Sequence, residues 1–148
     1  MADILIKPCT EHDLSLLAVF NKQLIEDEQH DNPMNIDQLK ERMMIFLESD
    51  YQAFFFIRDH QIVGYALLNL SHNPFYLRQF FILREHRRRG YGKESFLLLL
   101  DYLKADTVDL DVLSWNHTGK KFWSSLGFEE RSICMRYIKD HQHDSSGG

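Results

Sequence analysis

The sequence predicts an α+β or mixed α/β sheet with helices on both faces. Three observations lead there. Apolar residues recur at helical spacing in four stretches, with strand-length blocks between them. The blocks follow the order β-α-α-β-β-β-α-β-α-β. A strand-like run, Phe75–Leu83, then a helix-like run, Tyr91–Lys104, then a second strand-like run, Thr107–Leu113, form a crossover unit whose two strands should lie parallel.

The elements follow in order. Ile4–Lys7 is a short alternating strand. Thr10 caps the first helix, with Asp13 three residues on at capping-box spacing. Leu14, Leu17, Ala18, Phe20, Leu24 and Ile25 give that helix its apolar stripe, and it runs to about Asp27 before Asn32-Pro33 breaks the chain. The second helix covers Ile36–Leu47, with Leu39, Met43, Phe46 and Leu47 facing inward. Gln52–Arg58 and Gln61–Leu70 are strands joined by the turn Asp59-His60. Ser71–Pro74 turns the chain into the strand Phe75–Leu83. After Thr107–Leu113, a short helix over Thr118–Leu126 stops at Gly127, and Phe128–Ile138 is the last strand. Residues 1–139 make one domain, and 140–148 read as a flexible polar tail in which His141 and His143 are solvated rather than metal-bound.

The chain has 148 residues, enough for one substantial core. A net charge of -5 argues against nonspecific nucleic-acid binding and suits a small cationic substrate. The longest apolar run, Phe96–Leu100, is too short to cross a membrane. Asp3 and Lys7 interrupt the start, so no secretory leader is expected. Two cysteines are too few for a disulfide framework, which points to a reduced, cytoplasmic setting. Cys9 and Cys134 are expected as buried, inert thiols, and no His or Cys spacing suggests a metal. A monomer or a homodimer is expected.

Against this acidic background, Arg87-Arg88-Arg89-Gly90-Tyr91-Gly92 concentrates positive charge where a strand gives way to a helix. A helix that opens on glycines presents unpaired N–H groups and the positive end of its dipole. With arginines beside it, this stretch suits a pyrophosphate; the alternative is a solvated connection before a helix. The spacing is neither that of a P-loop nor that of a dinucleotide-binding turn.

Ile82 through Gly92 resembles the acyl-CoA-binding motif of the GNAT superfamily of N-acetyltransferases. Asn116, followed by Phe122-Trp123-Ser124-Ser125-Leu126-Gly127-Phe128, is similar to that superfamily's second motif. The resemblance spans Ile4 to Ile138. It implies a mostly antiparallel sheet whose central parallel strand pair splays at the cofactor. It also implies acetyl-CoA as co-substrate, direct transfer to a primary amine of a small molecule or peptide, and no metal. The backbone of Arg87, Arg88, Arg89, Gly90, Tyr91 and Gly92, with Lys93, would hold the pyrophosphate. Phe81, Ile82 and Leu83 would pair with the pantetheine arm, and a strand N–H at or beside Phe81 would face the oxyanion. Asn116, Phe122 and Trp123 would line the cofactor's far side. The Tyr91 side chain reads first as a cap packed on the following helix, with cofactor contact as the alternative.

The family's acid, a Tyr in the second motif, is replaced here by Trp123, which cannot act as one. Two strand acids of the polyamine-acetylating relatives are replaced by Arg78 and Gln79. No acid or base is therefore inherited. Glu26, Asp27 and Glu28 stand where the first helices often form the acceptor pocket, with Glu28 a candidate base; the alternative is a solvated helix end. Arg78 would recognise a carboxylate on the acceptor or form a surface salt bridge with Asp109 or Asp111. Tyr65, Tyr76 and Tyr102 read as packing residues. Two alternatives to acetyl transfer stand beside it: a CoA-binding regulatory module with weak or no catalysis, and a transferase for a longer acyl group.

Overall fold

The computed structural model describes residues 3–140; the expected tail, with His141 and His143, lies beyond them apart from Asp140. The elements are β1 (Leu5–Pro8), α1 (Leu14–Asp27), α2 (Ile36–Leu47), β2 (Tyr51–Arg58), β3 (Gln61–Asn69), β4 (Phe75–Ile82), α3 (Tyr91–Leu103), β5 (Val108–Asp109) and α4 (His117–Ser125). They form one sheet in the order β1-β2-β3-β4-β5, antiparallel throughout except for the parallel pair β4–β5.

Local chemistry accounts for the entry to each helix. Thr10 and Asp13 form the expected capping box, which closes a 3-10 turn at Glu11–Asp13 ahead of α1. Asn35 and Gln38 form a second one at the start of α2. Asp59 and His60 both take left-handed backbone angles, φ 51 and 63, in the tight β2–β3 turn, as its right-handed strand twist favours.

Alternation along the strands sends side chains to two opposite cores. Ala53, Phe55, Tyr65, Leu67 and Phe81 pack against Leu17, Phe20, Leu24 and Met43 of α1 and α2. Phe54, Phe56, Ala66, Leu68 and Leu77 pack against Phe96 and Leu99 of α3, with Trp123 of α4 beside them. Helices therefore cover both faces. Among the described residues no helix is long and apolar enough to cross a membrane.

Two expectations fail at the sheet's far edge. β5 is paired only over Val108–Asp109, not Thr107–Leu113. No strand forms over Phe128–Ile138, where Ile133, Met135 and Tyr137 are 85%, 88% and 67% exposed. Alternating apolar residues make a strand only where a neighbour supplies hydrogen bonds and a surface to cover, and among the described residues no strand pairs with this stretch, of which Phe128 alone packs into the apolar cluster. Cys134 sits in it and is exposed rather than buried.

Candidate active site

The loop between β4 and α3 is built to leave its N–H groups open. Arg88 and Gly90 both adopt left-handed backbone angles, φ 63 and 78. Turns of this kind gather successive N–H groups into a concave, anion-attracting surface. Asn35 caps α2 and Asn116 caps α4 through side-chain hydrogen bonds, whereas α3 begins at Gly90 with no side-chain cap. The N–H groups of its first turn thus lack an intrahelical acceptor. A Cβ on Gly90 would meet nothing within 4 Å, so glycine is needed there for its backbone angle. At Gly92 the reason is space: a Cβ would come within 3.2 Å of the Phe122 ring, which packs α4 onto the first turn of α3. Arg88, Arg89 and Lys93 are exposed, and among the described residues none of them forms an ion pair.

β4 carries a bulge at Arg78. Leu67 of β3 faces Gln79 while Leu68 faces Leu77, so Arg78 has no partner in the ladder. β4 pairs with β5 only at Phe75 and Tyr76, before the bulge, and beyond that point no ladder joins the two. The Leu83 N–H donates to the Val63 carbonyl at 2.8 Å. In an antiparallel ladder this phase directs the N–H and C=O of Phe81 into β3 and those of Phe80 and Ile82 out into the gap. Arg87 Nε reaching the Ile82 carbonyl at 2.8 Å agrees with that phase. The expectation for the Phe81 and Leu83 backbones is corrected accordingly: the Phe81 groups are taken by β3, the Leu83 N–H by Val63 and its carbonyl by the His86 N–H, while Phe80 presents both its groups and Ile82 its N–H.

The acidic cluster at the end of α1 divides. Asp27 accepts from Arg84 Nη2 at 2.8 Å and from Arg87 Nη2, and Glu26 lies 3.5 Å from Arg84. Partial burial works against ionisation of Asp27, but the two guanidiniums outweigh it and hold its carboxyl below the ordinary value. Glu26 and Asp27 are therefore committed to internal ion pairs rather than to an acceptor. Arg87 is equally committed, to Asp27, to the Ile82 carbonyl and over the Phe81 ring. Among the described residues Glu28 makes no such pair. Burial first, and then the charge of Asp27, push its carboxyl up to about 7. A carboxylate in that range is suited to taking a proton near neutral pH.

Tyr65 stands fully buried beneath this point and donates to Gln79 Oε1 at 2.7 Å. Its hydroxyl is held far above the usual phenol range by burial and then by the charge of Glu28, so it is no acid. Gln79 is buried with it, at 7% exposure, so its carboxamide oxygen is taken by a neighbour. Arg78 forms no salt bridge with Asp109 or Asp111; the Asp111 carboxylate accepts from the Tyr76 hydroxyl at 2.6 Å instead.

On the far side, Asn116 Oδ1 accepts from the Gly119 N–H at 3.0 Å, so its oxygen serves as the α4 cap. Trp123 sits edge-on to Phe80 and Phe128, each at 5.2 Å, inside the apolar cluster. Tyr91 is likewise buried, beneath the Arg58 guanidinium, which leaves its backbone as the part facing the loop. Sequence reasoning passed over Trp115, whose indole N–H donates to the carbonyls of Glu28 and Gln29 at 3.2 Å and so holds the end of α1. A contact across more than eighty residues leaves no trace in local periodicity.

The profile of the acetyltransferase (GNAT) family matches residues 15–128. No curated protein sequence matches. Among solved structures, an aminoglycoside N-acetyltransferase in complex with CoA superposes with a TM-score of 0.70 at 19% identity, covering 93% of this chain and 95% of that one. A predicted acetyltransferase with acetyl-CoA from Clostridium acetobutylicum gives 0.71 at 14% identity, covering 95% and 99%. An aminoglycoside acetyltransferase from an uncultured soil metagenomic sample, in complex with sisomicin, gives 0.69 at 16%, covering 91% and 95%. At these identities the likeness is one of fold, while the family profile extends over most of the chain: this protein belongs to the acetyltransferase (GNAT) family.

Proposed function

We propose that this protein transfers an acetyl group from acetyl-CoA to a primary amine of a small molecule or peptide, by direct attack. The observation that carries the reading is the meeting of two features. An uncapped helix start gathers N–H groups at Arg88–Lys93, and β4, freed from β5 beyond its bulge, offers the outward backbone of Phe80 and Ile82 beside it. The first suits a pyrophosphate. The second suits an extended amide-bearing arm added along a strand edge.

In the reaction the amine nitrogen forms a bond to the thioester carbonyl carbon and the C–S bond breaks. An N–H at Phe80 or Ile82 faces the oxygen that becomes negative. The ammonium proton leaves to Glu28, directly or through one water, and the coenzyme departs as thiolate. The nitrogen's second proton, shed as the tetrahedral intermediate collapses to the amide, passes through water to the thiolate; an ordinary thiol has a pKa of about 8.5, so no dedicated acid is needed. This agrees with a tryptophan at position 123. The two free cysteines fit a cytoplasmic setting.

The test is thiol release from acetyl-CoA across a panel of amines, with calorimetry for CoA binding. Turnover with any amine supports transfer. Tight CoA binding with no turnover would support the regulatory-module reading, which Trp123 in place of the family's tyrosine favours. A matched series of acyl-CoA lengths decides whether acetyl is the group carried.

A further inference from the structure

A second charged cluster lies on the α1/α2 face of the sheet, and the steps above do not use it. Arg42 of α2 and Arg78 at the β4 bulge flank a single ring, Phe46, with guanidinium carbons 5.4 and 4.8 Å from its centroid. Arg78 also approaches Tyr51, with Nη1 3.5 Å from the hydroxyl. Two like charges sharing one ring repel. Burial and then the charge of Arg78 both disfavour the cationic form of Arg42.

Elsewhere this chain pairs its clustered arginines: Arg84 and Arg87 converge on Asp27. Here it does not. Among the described residues neither Arg42 nor Arg78 forms an ion pair. Arg42 Nη2 donates to Asn21 Oδ1 at 3.1 Å, which orients the guanidinium, while its Nε is buried with no acceptor. A guanidinium offers five donors in a fixed fork that matches a carboxylate. The fork is held in place and one prong is vacant.

The cluster's position gives it meaning. Arg78 immediately precedes Gln79, the partner of Tyr65, and both Glu28 and Arg42 act on the Tyr65 hydroxyl. Glu28 and the arginine cluster thus both lie near one buried tyrosine.

Building on the acetyl-transfer reading, we propose that Arg42 and Arg78 hold a carboxylate of the acceptor whose amine faces Glu28, so that the acceptor is an amino acid or a peptide with a free carboxylate. The amine is then read at Glu28 and the carboxylate at the two arginines, with Tyr65 close to both.

The experiment compares thiol release with the common α-amino acids and with their carboxamides, on the parent protein, Arg78→Met and Arg42→Met. Methionine keeps an unbranched stem against Phe46 and removes the charge. The exposed Arg78 is the variant least disturbing to the fold. The parent should prefer acids over carboxamides, and Arg78→Met should lower kcat/KM for acids about 10- to 100-fold, through KM. Carboxamide turnover and CoA affinity should hold. Equal use of acids and carboxamides overturns the proposal, as does an equal loss for both, or a loss of CoA affinity, which would make the cluster part of the coenzyme's own phosphate site. If no amine is turned over, acetyl transfer fails by itself. Chemical-shift titration with N-acetylalanine and its carboxamide then reads the anion site alone: a preference for the acid that Arg78→Met abolishes sustains it, and equal binding of the two overturns it.

Discussion

Replacing Glu28 with Gln tests the proton path by changing one atom's charge at nearly constant shape. The carboxyl is pushed up to about 7, so it is about one-tenth ionised at pH 6 and about nine-tenths at pH 8. If ionised Glu28 accepts the proton of a bound ammonium, kcat/KM of the parent rises about tenfold between those values. With a lysine-like amine as acceptor it then stays level until the amine itself deprotonates near pH 10. Glu28→Gln reacts only with free amine, so its kcat/KM rises about 100-fold over the same interval, from a level at pH 8 about 100-fold or more below the parent. A pH series of initial rates with one amine, parent and variant side by side, reads both slopes. A variant profile parallel to the parent's, with the same limb near 7, would refute the assignment.

Stability supplies an independent check on Glu28. A carboxyl raised in the folded state favours its neutral form, so its contribution is fully present below about 4.5 and is lost as pH rises through about 7. The full linkage of that shift is about 3 kcal/mol, and solvent at this half-buried side chain reduces it to on the order of 1 kcal/mol. Glu28→Gln should match the parent at pH 4 and exceed it at pH 8 by that amount in urea denaturation.

Other outcomes follow from the same coordinates. Gly90→Asp, at a left-handed position with open space around it, should still fold at a strain cost of about 1 kcal/mol and weaken CoA binding on the order of 100-fold by like-charge repulsion, measured by calorimetry. Gly64→Ala should destabilise by about 3 kcal/mol in denaturant melts, because its Cβ would clash with the backbone oxygen of Phe81, which cannot move without parting β3 from β4. A thiol reagent should label the native protein once, at exposed Cys134, and the denatured protein twice; burial, then the nearby Asp13, raise the Cys9 thiol and keep it inert.

Much of the fold could be read in the residues because the deciding forces are local. Ile36–Leu47 forms a helix over the expected range, and Thr10 with Asp13 closes the expected box. The α1/α2 and α3/α4 faces follow from alternation along β2 and β3. What escaped reading depends on distant partners. Glu26 and Asp27 look like an open acidic pocket until Arg84 and Arg87, some sixty residues on, close over them. Arg78 looks like an ordinary strand position until the register slips past it. Ile133, Met135 and Tyr137 carry strand periodicity without a neighbouring strand to satisfy it.

Asp27 grips both Arg84 and Arg87, and Glu28 follows it directly in the chain. A single clasp thus fastens the helix bearing the acidic group to the stem of the coenzyme-facing loop. Movement of that stem on loading would be felt one residue away by the group awaiting the amine. The two substrates would then arrive at compartments that share a hinge, and the first to bind would set the stage for the second.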